Sequence, residues 1–278
     1  GRPDKELPPF LRGLIVPDPY RGPYRENEPD LAACYAADAD RAILELQESG
    51  HGVAAFMIDS AMCSSGVPAT PDGYLRSVAE KVRIAGGLMI CDEVQSGFGR
   101  MGEWWGHELH GVRADIVTVG KPVGNGFPLG VVVTTDKILN EFMDRTRLFS
   151  TFGGNAVACT AGNAVIDVIE REELIDRSRL VGDYLRDKIR TLATTHELIG
   201  DVRGWGMVSG VEFVSDRDQR TPATAETTQL LELMREHQVL VGSEGRDANI
   251  LKLRPALVCE KSHVDRFIAA LDRSLHAL

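Results

Sequence analysis

The chain has few cysteines and none are close together. Cys34, Cys63, Cys91, Cys159 and Cys259 are its five, and they form no CxxC. They read as reduced, mostly buried thiols of a cytoplasmic protein rather than a disulfide framework or a zinc knuckle. No apolar run approaches the roughly 20 residues of a membrane span. No charged start followed by an apolar segment suggests secretion. Positive charge is not in excess: the net charge of −10 argues against nucleic acid or an acidic membrane as a general partner. Internal repeats and low-complexity tracts are absent as well. An initiating methionine is missing too. The first residues form a Pro-rich extended stretch, which reads as a connection whose preceding part is absent.

What is present is an ordinary globular composition. Of the 278 residues, 43% are apolar and 26% charged, enough for one large or two modest domains with ample core. Residues 1–30 are expected to be loop, because Pro17-Asp18-Pro19 and Arg21-Gly22-Pro23 fit neither a helix interior nor a central strand. A helix is expected over Asp38–Gly50, a strand over Val53–Ile58, and a helix from Tyr74 to Ala85. Strands are expected to end at Asp92 and at Lys121, with a further one at Val131–Val133. A helix capped by Asp136 should follow, and then a long helical stretch over residues 156–193 broken near Arg171-Glu172. This alternation predicts an α/β domain with a mainly parallel sheet. The texture changes after about Gly200. Strands are expected over Gly206–Val214, Val239–Val241 and Ile250–Leu253, with helices near Thr224–His237 and Val264–Leu275. The chain therefore divides into a large domain, residues 1–195, and a small α+β domain, residues 196–278, suited to closing over a cleft.

The most informative stretch runs from Leu88 to Gly130. An acid, Asp92, ends the run Leu88-Met89-Ile90-Cys91. An amine, Lys121, ends the Val/Ile/Thr-rich run from Asp115 to Gly120. Both runs stop at Gly-rich turns, as buried parallel strands do, and ligands bind outside the carboxyl ends of such strands. A lysine after a strand is usually a solvated side chain, and an aspartate there usually a loop cap. Held by Pro122, Gly124, Asn125, Gly126 and Pro128, however, the amine suits a Schiff base with an aldehyde cofactor. The acid suits the task of keeping a pyridine nitrogen protonated. Two other features are weaker. His107 and His110 are spaced to ligate a metal but have no third ligand nearby, so no metal is expected. Trp104-Trp105 reads as packing.

Taken in order and spacing, CDEVQSGFGRMG (91–102), VGKPVGNGFPLG (119–130), STFGGNAVAC (150–159) and LKLRPAL (251–257) resemble the class III aminotransferases, which are pyridoxal-phosphate enzymes of fold type I. The resemblance runs from about Pro17 to Leu275. It implies that Lys121 is the Schiff-base lysine and moves the Cα proton. It implies that Asp92 pairs with the pyridine nitrogen, Val94 packs on the ring and Gln95 reaches the ring hydroxyl. Thr151 would bind the cofactor phosphate, in this family typically from the neighbouring subunit of a homodimer with shared sites. Arg254, read as lying in a strand, would hold a substrate carboxylate. Two departures stand out. Asp59-Ser60 replaces the family's usual Glu-Pro, and the family's N-terminal phosphate cup has no counterpart here.

Within the family, LIGDVRGWGM (198–207), RTPATAE (220–226) and NILKLRPAL (249–257) resemble the ethanolamine-phosphate and phosphohydroxylysine phospho-lyases. The resemblance to the class III family implies transamination of a primary amine. The alternative is elimination of phosphate from an O-phosphorylated amine such as phosphoethanolamine. A second alternative is an inactive fragment or scaffold.

Overall fold

The computed structural model describes residues 7–278. Residues 1–6, part of the expected N-terminal loop, lie outside it, and residues 7–30 contain no helix or strand. Helix α1 spans Leu31–Glu48. It starts seven residues before the expected position, because the Asp30 carboxylate accepts from the Ala33 N–H and caps it. It buries Tyr35, Ala36, Ala39 and Ala42, one face at helical spacing. Strand β1 (Ala55–Asp59), helix α2 (Tyr74–Ile84) and strand β2 (Leu88–Asp92) follow. Tyr74, Leu75, Val78, Ala79 and Val82 of α2 pack with α1 over Met89 and Cys91 of β2. Strand β3 (Ile116–Val119) and strand β4 (Val131–Thr134) complete a sheet ordered β1-β2-β3-β4. Its first three strands are parallel, and β4 runs antiparallel to β3.

Helix α3 (Asp136–Arg145) is capped by the Thr135 hydroxyl rather than by Asp136, and it buries no residue. Helices α4 (Ala156–Arg171) and α5 (Leu174–Leu192) are separated at Glu172-Glu173, where Glu173 has φ +50°.

The second sheet is antiparallel. It holds β5 (Ile199–Trp205), β6 (Val208–Asp216), β7 (Thr221–Pro222), β8 (Gly242–Glu244) and β9 (Ile250–Leu253), ordered β5-β6-β9-β8 with β7 on the side of β6. Helices α6 (Thr224–Glu236) and α7 (Lys261–His276) share its core. The sequence reading missed β5 and placed a strand at Val239–Val241, three residues early. Val181, Leu185 and Ile189 of α5 sit in the core of this second sheet, with Phe213, Leu230 and Leu271. By its packing, α5 therefore belongs with the residues that follow it.

The two sheets are tied by buried charge. Arg203 of β5 donates to the carbonyls of Gly66 and Val67 in the first unit, and it pairs with Asp201 and Glu212 at 2.7 Å each. From the N-terminal loop, Arg21 reaches the same Glu212. Buried charges are retained only when paired in this way.

Candidate active site at the carboxyl edge of the parallel strands

Asp59, Asp92 and Thr118 stand side by side across β1, β2 and β3. Three residues beyond Thr118 the chain reaches Lys121. The acid and the amine therefore leave the same sheet edge from adjacent strands. Asp92 is half-buried, and one of its carboxylate oxygens accepts from the Val94 N–H at 3.0 Å. Lys121 is exposed and opens a short 3₁₀ turn, Lys121–Val123, with Pro122 next in line. Its φ of +34° lies in the left-handed region, which costs a side-chain-bearing residue about 1–2 kcal/mol. Among the described residues neither Asp92 nor Lys121 forms an ion pair. The methyl groups of Val94 face Gly120: a Cβ there would lie 3.5 Å from Val94 Cγ2.

Gln95 and Arg254 come together across the two sheets, the Arg254 guanidinium donating to Gln95 Oε1. Arg254 is exposed and is the first residue after β9, not part of the strand as the sequence reading had it. Pro255 explains this, since it has no N–H for a ladder and restricts the residue before it. Arg100, which the sequence reading passed over, donates to the Pro255 and Met207 carbonyls. Burial, reinforced by the like charge of Arg254, holds its guanidinium below its ordinary range. The Arg254 guanidinium beside Gln95 makes a positive locus suited to a substrate anion.

Thr151 stands apart from these residues. It is exposed on the loop before α4 and makes no side-chain hydrogen bond to Lys121 or Asp92 among the described residues. Its loop is shaped by Ser150, whose hydroxyl accepts from the Gly153 N–H, and by Asn155, which caps α4. Helix α4 in turn packs on the Lys121 turn, with Gly162 facing the Val123 carbonyl.

The residue that organises this edge is Glu93, fully buried next to Asp92 in the chain. It takes the Ser60 and Ser96 hydroxyls, the Gly106 and His107 backbone N–H groups, and His107 Nδ1 at 2.8 Å. Burial alone would raise its carboxyl, but the His107, Ser96 and backbone hydrogen bonds outweigh it and hold the group below its ordinary value. His107 is thereby committed, and His110 Nε2 lies 3.1 Å from the Ser60 carbonyl oxygen. The two imidazoles are engaged by different partners, the Glu93 carboxylate and the Ser60 carbonyl. Trp104 and Trp105 pack edge-on against Phe98. The signal for Glu93 was its place beside a strand-end aspartate, which alternation turns to the opposite face. Asp59 accepts from the Ala61 and Cys63 N–H groups and shapes the turn after β1. Its burial, with Asp92 and Glu93 nearby, raises its carboxyl above the ordinary value.

Residues 4–275 match the family model described as Aminotransferase class-III. An alanine–glyoxylate aminotransferase 2 homologue of Arabidopsis thaliana, named as mitochondrial, is 44% identical over 261 residues, covering 94% of this chain and 53% of that protein. Ethanolamine-phosphate phospho-lyase homolog 1 of Caenorhabditis elegans is 37% identical, covering 96% of this chain and 60% of that protein. A phospholyase from Arthrobacter, solved in complex with phosphoethanolamine, superposes with a TM-score of 0.93 at 40% identity, covering 99% of this chain and 65% of that one. An amine transaminase from an uncultivated Pseudomonas species, solved with pyridoxal phosphate bound, superposes with a TM-score of 0.87 at 28% identity, covering 95% and 61%. The chain thus spans between about half and two thirds of the length of these relatives. No helix among the described residues is long and apolar enough to cross a membrane. The residues at the sheet edge fit a cofactor of this kind. They supply an exposed amine, a carboxylate with one oxygen uncommitted to the backbone, and the Val94 methyls beside Gly120 as an apolar flank.

Proposed function

The chain belongs to the class III aminotransferases, a fold type I, pyridoxal-phosphate-dependent family, and from that premise we propose that it carries part of the active site of an enzyme that transaminates a primary amine. The observation that carries the proposal is the register of Asp92 against Thr118, which sends Asp92 and Lys121 out of one sheet edge on neighbouring strands. When bound, pyridoxal phosphate supplies an aldehyde that captures amines and a ring that accepts electrons from the neighbouring carbon. Lys121 is the residue proposed to hold that aldehyde and to move the substrate Cα proton. Asp92 keeps the ring nitrogen protonated, Val94 flanks the ring and Gln95 reaches its hydroxyl. Thr151 binds the phosphate from the neighbouring subunit of a homodimer. Arg254 receives an anionic group of the substrate. The five unpaired thiols support a reducing compartment, and we propose the cytoplasm.

Elimination of phosphate from an O-phosphorylated amine is the second reading. It is favoured by the likeness to the Arthrobacter phospholyase over 99% of this chain and by the exposed Arg254 guanidinium beside Gln95. One experiment separates the two. The protein is incubated with phosphoethanolamine alone, and separately with an amino acid and a keto acid. Phosphate release without a keto acid identifies the lyase, and keto-acid-dependent exchange identifies the transaminase. Borohydride reduction followed by peptide mass spectrometry should find the cofactor on Lys121. A full-length protein with neither activity nor adduct would leave only the scaffold reading.

A further inference from the structure

A cluster in the second unit takes no part in the site described above. His196 lies in the connection between α5 and β5, while Asp272 lies one turn before His276, the last residue of α7. Each offers one ligand atom, and the three atoms lie within 4.8 Å of one another. Both imidazoles converge on the same carboxylate oxygen, His196 Nε2 at 2.7 Å and His276 Nδ1 at 3.4 Å from Asp272 Oδ1. Their rings meet edge to face with centroids 4.6 Å apart.

We propose that His196, Asp272 and His276 form a binding site for a divalent transition metal, of which zinc is the natural occupant. Two imidazoles and one carboxylate are a borderline donor set that suits zinc, cobalt or nickel better than calcium or magnesium, which want all-oxygen shells. With metal–ligand bonds of about 2.0–2.2 Å, the edges of a tetrahedron are roughly 3.3–3.6 Å. The two His–Asp separations, 2.7 and 3.4 Å, therefore need only small movements. Three protein ligands leave a fourth position for water.

The setting favours a cation in two further ways. The carboxyl end of a helix carries partial negative charge. Asp272, one turn before the helix end, adds a full negative charge there, which a cation at Oδ1 offsets together with Arg273. The partner loop is also held in place independently. The Arg217 guanidinium donates to the carbonyls of Ala193, His196, Glu197 and Ile199, at 2.6–3.1 Å. His196 is 9% exposed on this braced loop, whereas His276, 69% exposed, can turn to complete the shell. His276 Nδ1 now lies 2.9 Å from the Asp272 backbone carbonyl, and it exchanges that contact for the metal. The bound ion would fasten the end of α7 to the α5–β5 connection, closing the second unit's core at its last helix.

The test uses the full, cofactor-loaded chain stripped with chelator and titrated with zinc. Equilibrium dialysis should find one zinc per chain. Thermal unfolding should rise by roughly 5–10 °C at zinc a hundred times its Kd. His276→Ala removes an exposed ligand without opening the core. It should keep the metal-free Tm while weakening zinc by more than the roughly 10–100-fold cost of losing an outer-shell partner. Asp272→Asn should do the same. Cobalt substitution should give a visible spectrum without a thiolate charge-transfer band. The proposal is overturned by the absence of saturable zinc binding, by zinc affinity unchanged in His276→Ala, or by a thiolate band that disappears in Cys159→Ser.

Discussion

Glu93 and Asp92 are neighbours with opposite duties. Asp92 stands half-buried at the sheet edge, and Glu93 faces inward and gathers Ser60, Ser96, Gly106 and His107 around one buried carboxylate. Removing that acceptor strands several donors at once. Glu93→Ala should therefore cost about 3–5 kcal/mol in denaturant unfolding, the scale of a broken buried pair. The same locus makes the fold acid-sensitive. Burial holds His110 below its ordinary 6.5, so on acidification the unfolded chain takes up that proton first, and stability falls as pH drops below about 6.5. Glu93, held below its ordinary 4.5, adds stability above that value that is lost as pH falls further. Unfolding measured from pH 7.5 to 4 should show the first slope, and His110→Gln should flatten it. In activity, Lys121→Ala should lower turnover by at least about 10²–10⁴-fold, the worth of a positioned proton-transfer group. Asp92→Asn should lower it while leaving the unfolding midpoint near that of the parent. If Lys121→Ala keeps full turnover, the assignment of the amine fails.

Helices and strands were legible where their own residues declare them. The α2 stripe of Tyr74, Leu75, Val78, Ala79 and Val82 and the apolar runs of β2 and β3 need no partner to be recognised. Asp92 and Lys121 stand out in the sequence because they sit at the ends of such runs, whereas Val94 and Gln95 are singled out only by the family resemblance. Strand β5 was not legible. Gly200, Asp201, Arg203 and Gly204 break its pattern, and only the pairing of Arg203 with Glu212 and with the Gly66 and Val67 carbonyls makes burial of that charge tolerable. The Glu93 network escaped for a similar reason, because its donors come from residues up to 33 positions away. Helix α5 illustrates packing that overrides local preference. Gly182 in its middle should gain about 1 kcal/mol on replacement by alanine from helix propensity alone. A Cβ there would instead fall 1.8 Å from the Gly206 carbonyl oxygen in the β5–β6 turn. Gly182→Ala should therefore be destabilising, by about 1–3 kcal/mol in urea unfolding. A stabilised variant would mean that the helix does not approach the turn this closely.

Across the whole molecule, apolar surface is unevenly distributed. Helix α3 buries nothing, and around it Val132, Phe142, Met143, Leu148, Phe149, Phe152 and Val157 are all exposed, Phe149 and Phe152 by 80% and 83%. Patches of this kind mark interaction surfaces, and Thr151 lies between the two phenylalanines. The homodimer proposed above would cover this region and bring Thr151 to a partner's cofactor. Phe149→Ser with Phe152→Ser should then shift sedimentation from dimer to monomer and weaken pyridoxal phosphate binding together. Loss of one without the other would separate the assembly from the phosphate site.

The backbone at Lys121 carries a last consequence. A φ of +34° suits glycine, which has no Cβ to crowd the carbonyl, and it burdens lysine. A chain shaped only for folding would place glycine there. Lys121→Gly should accordingly unfold at higher denaturant than Lys121→Ala, by about 1 kcal/mol, and be the most durable of the inactive variants. The amine would then be a local instability that the rest of the sheet edge tolerates, and the enzyme's robustness and its chemistry would be in direct competition at this one position.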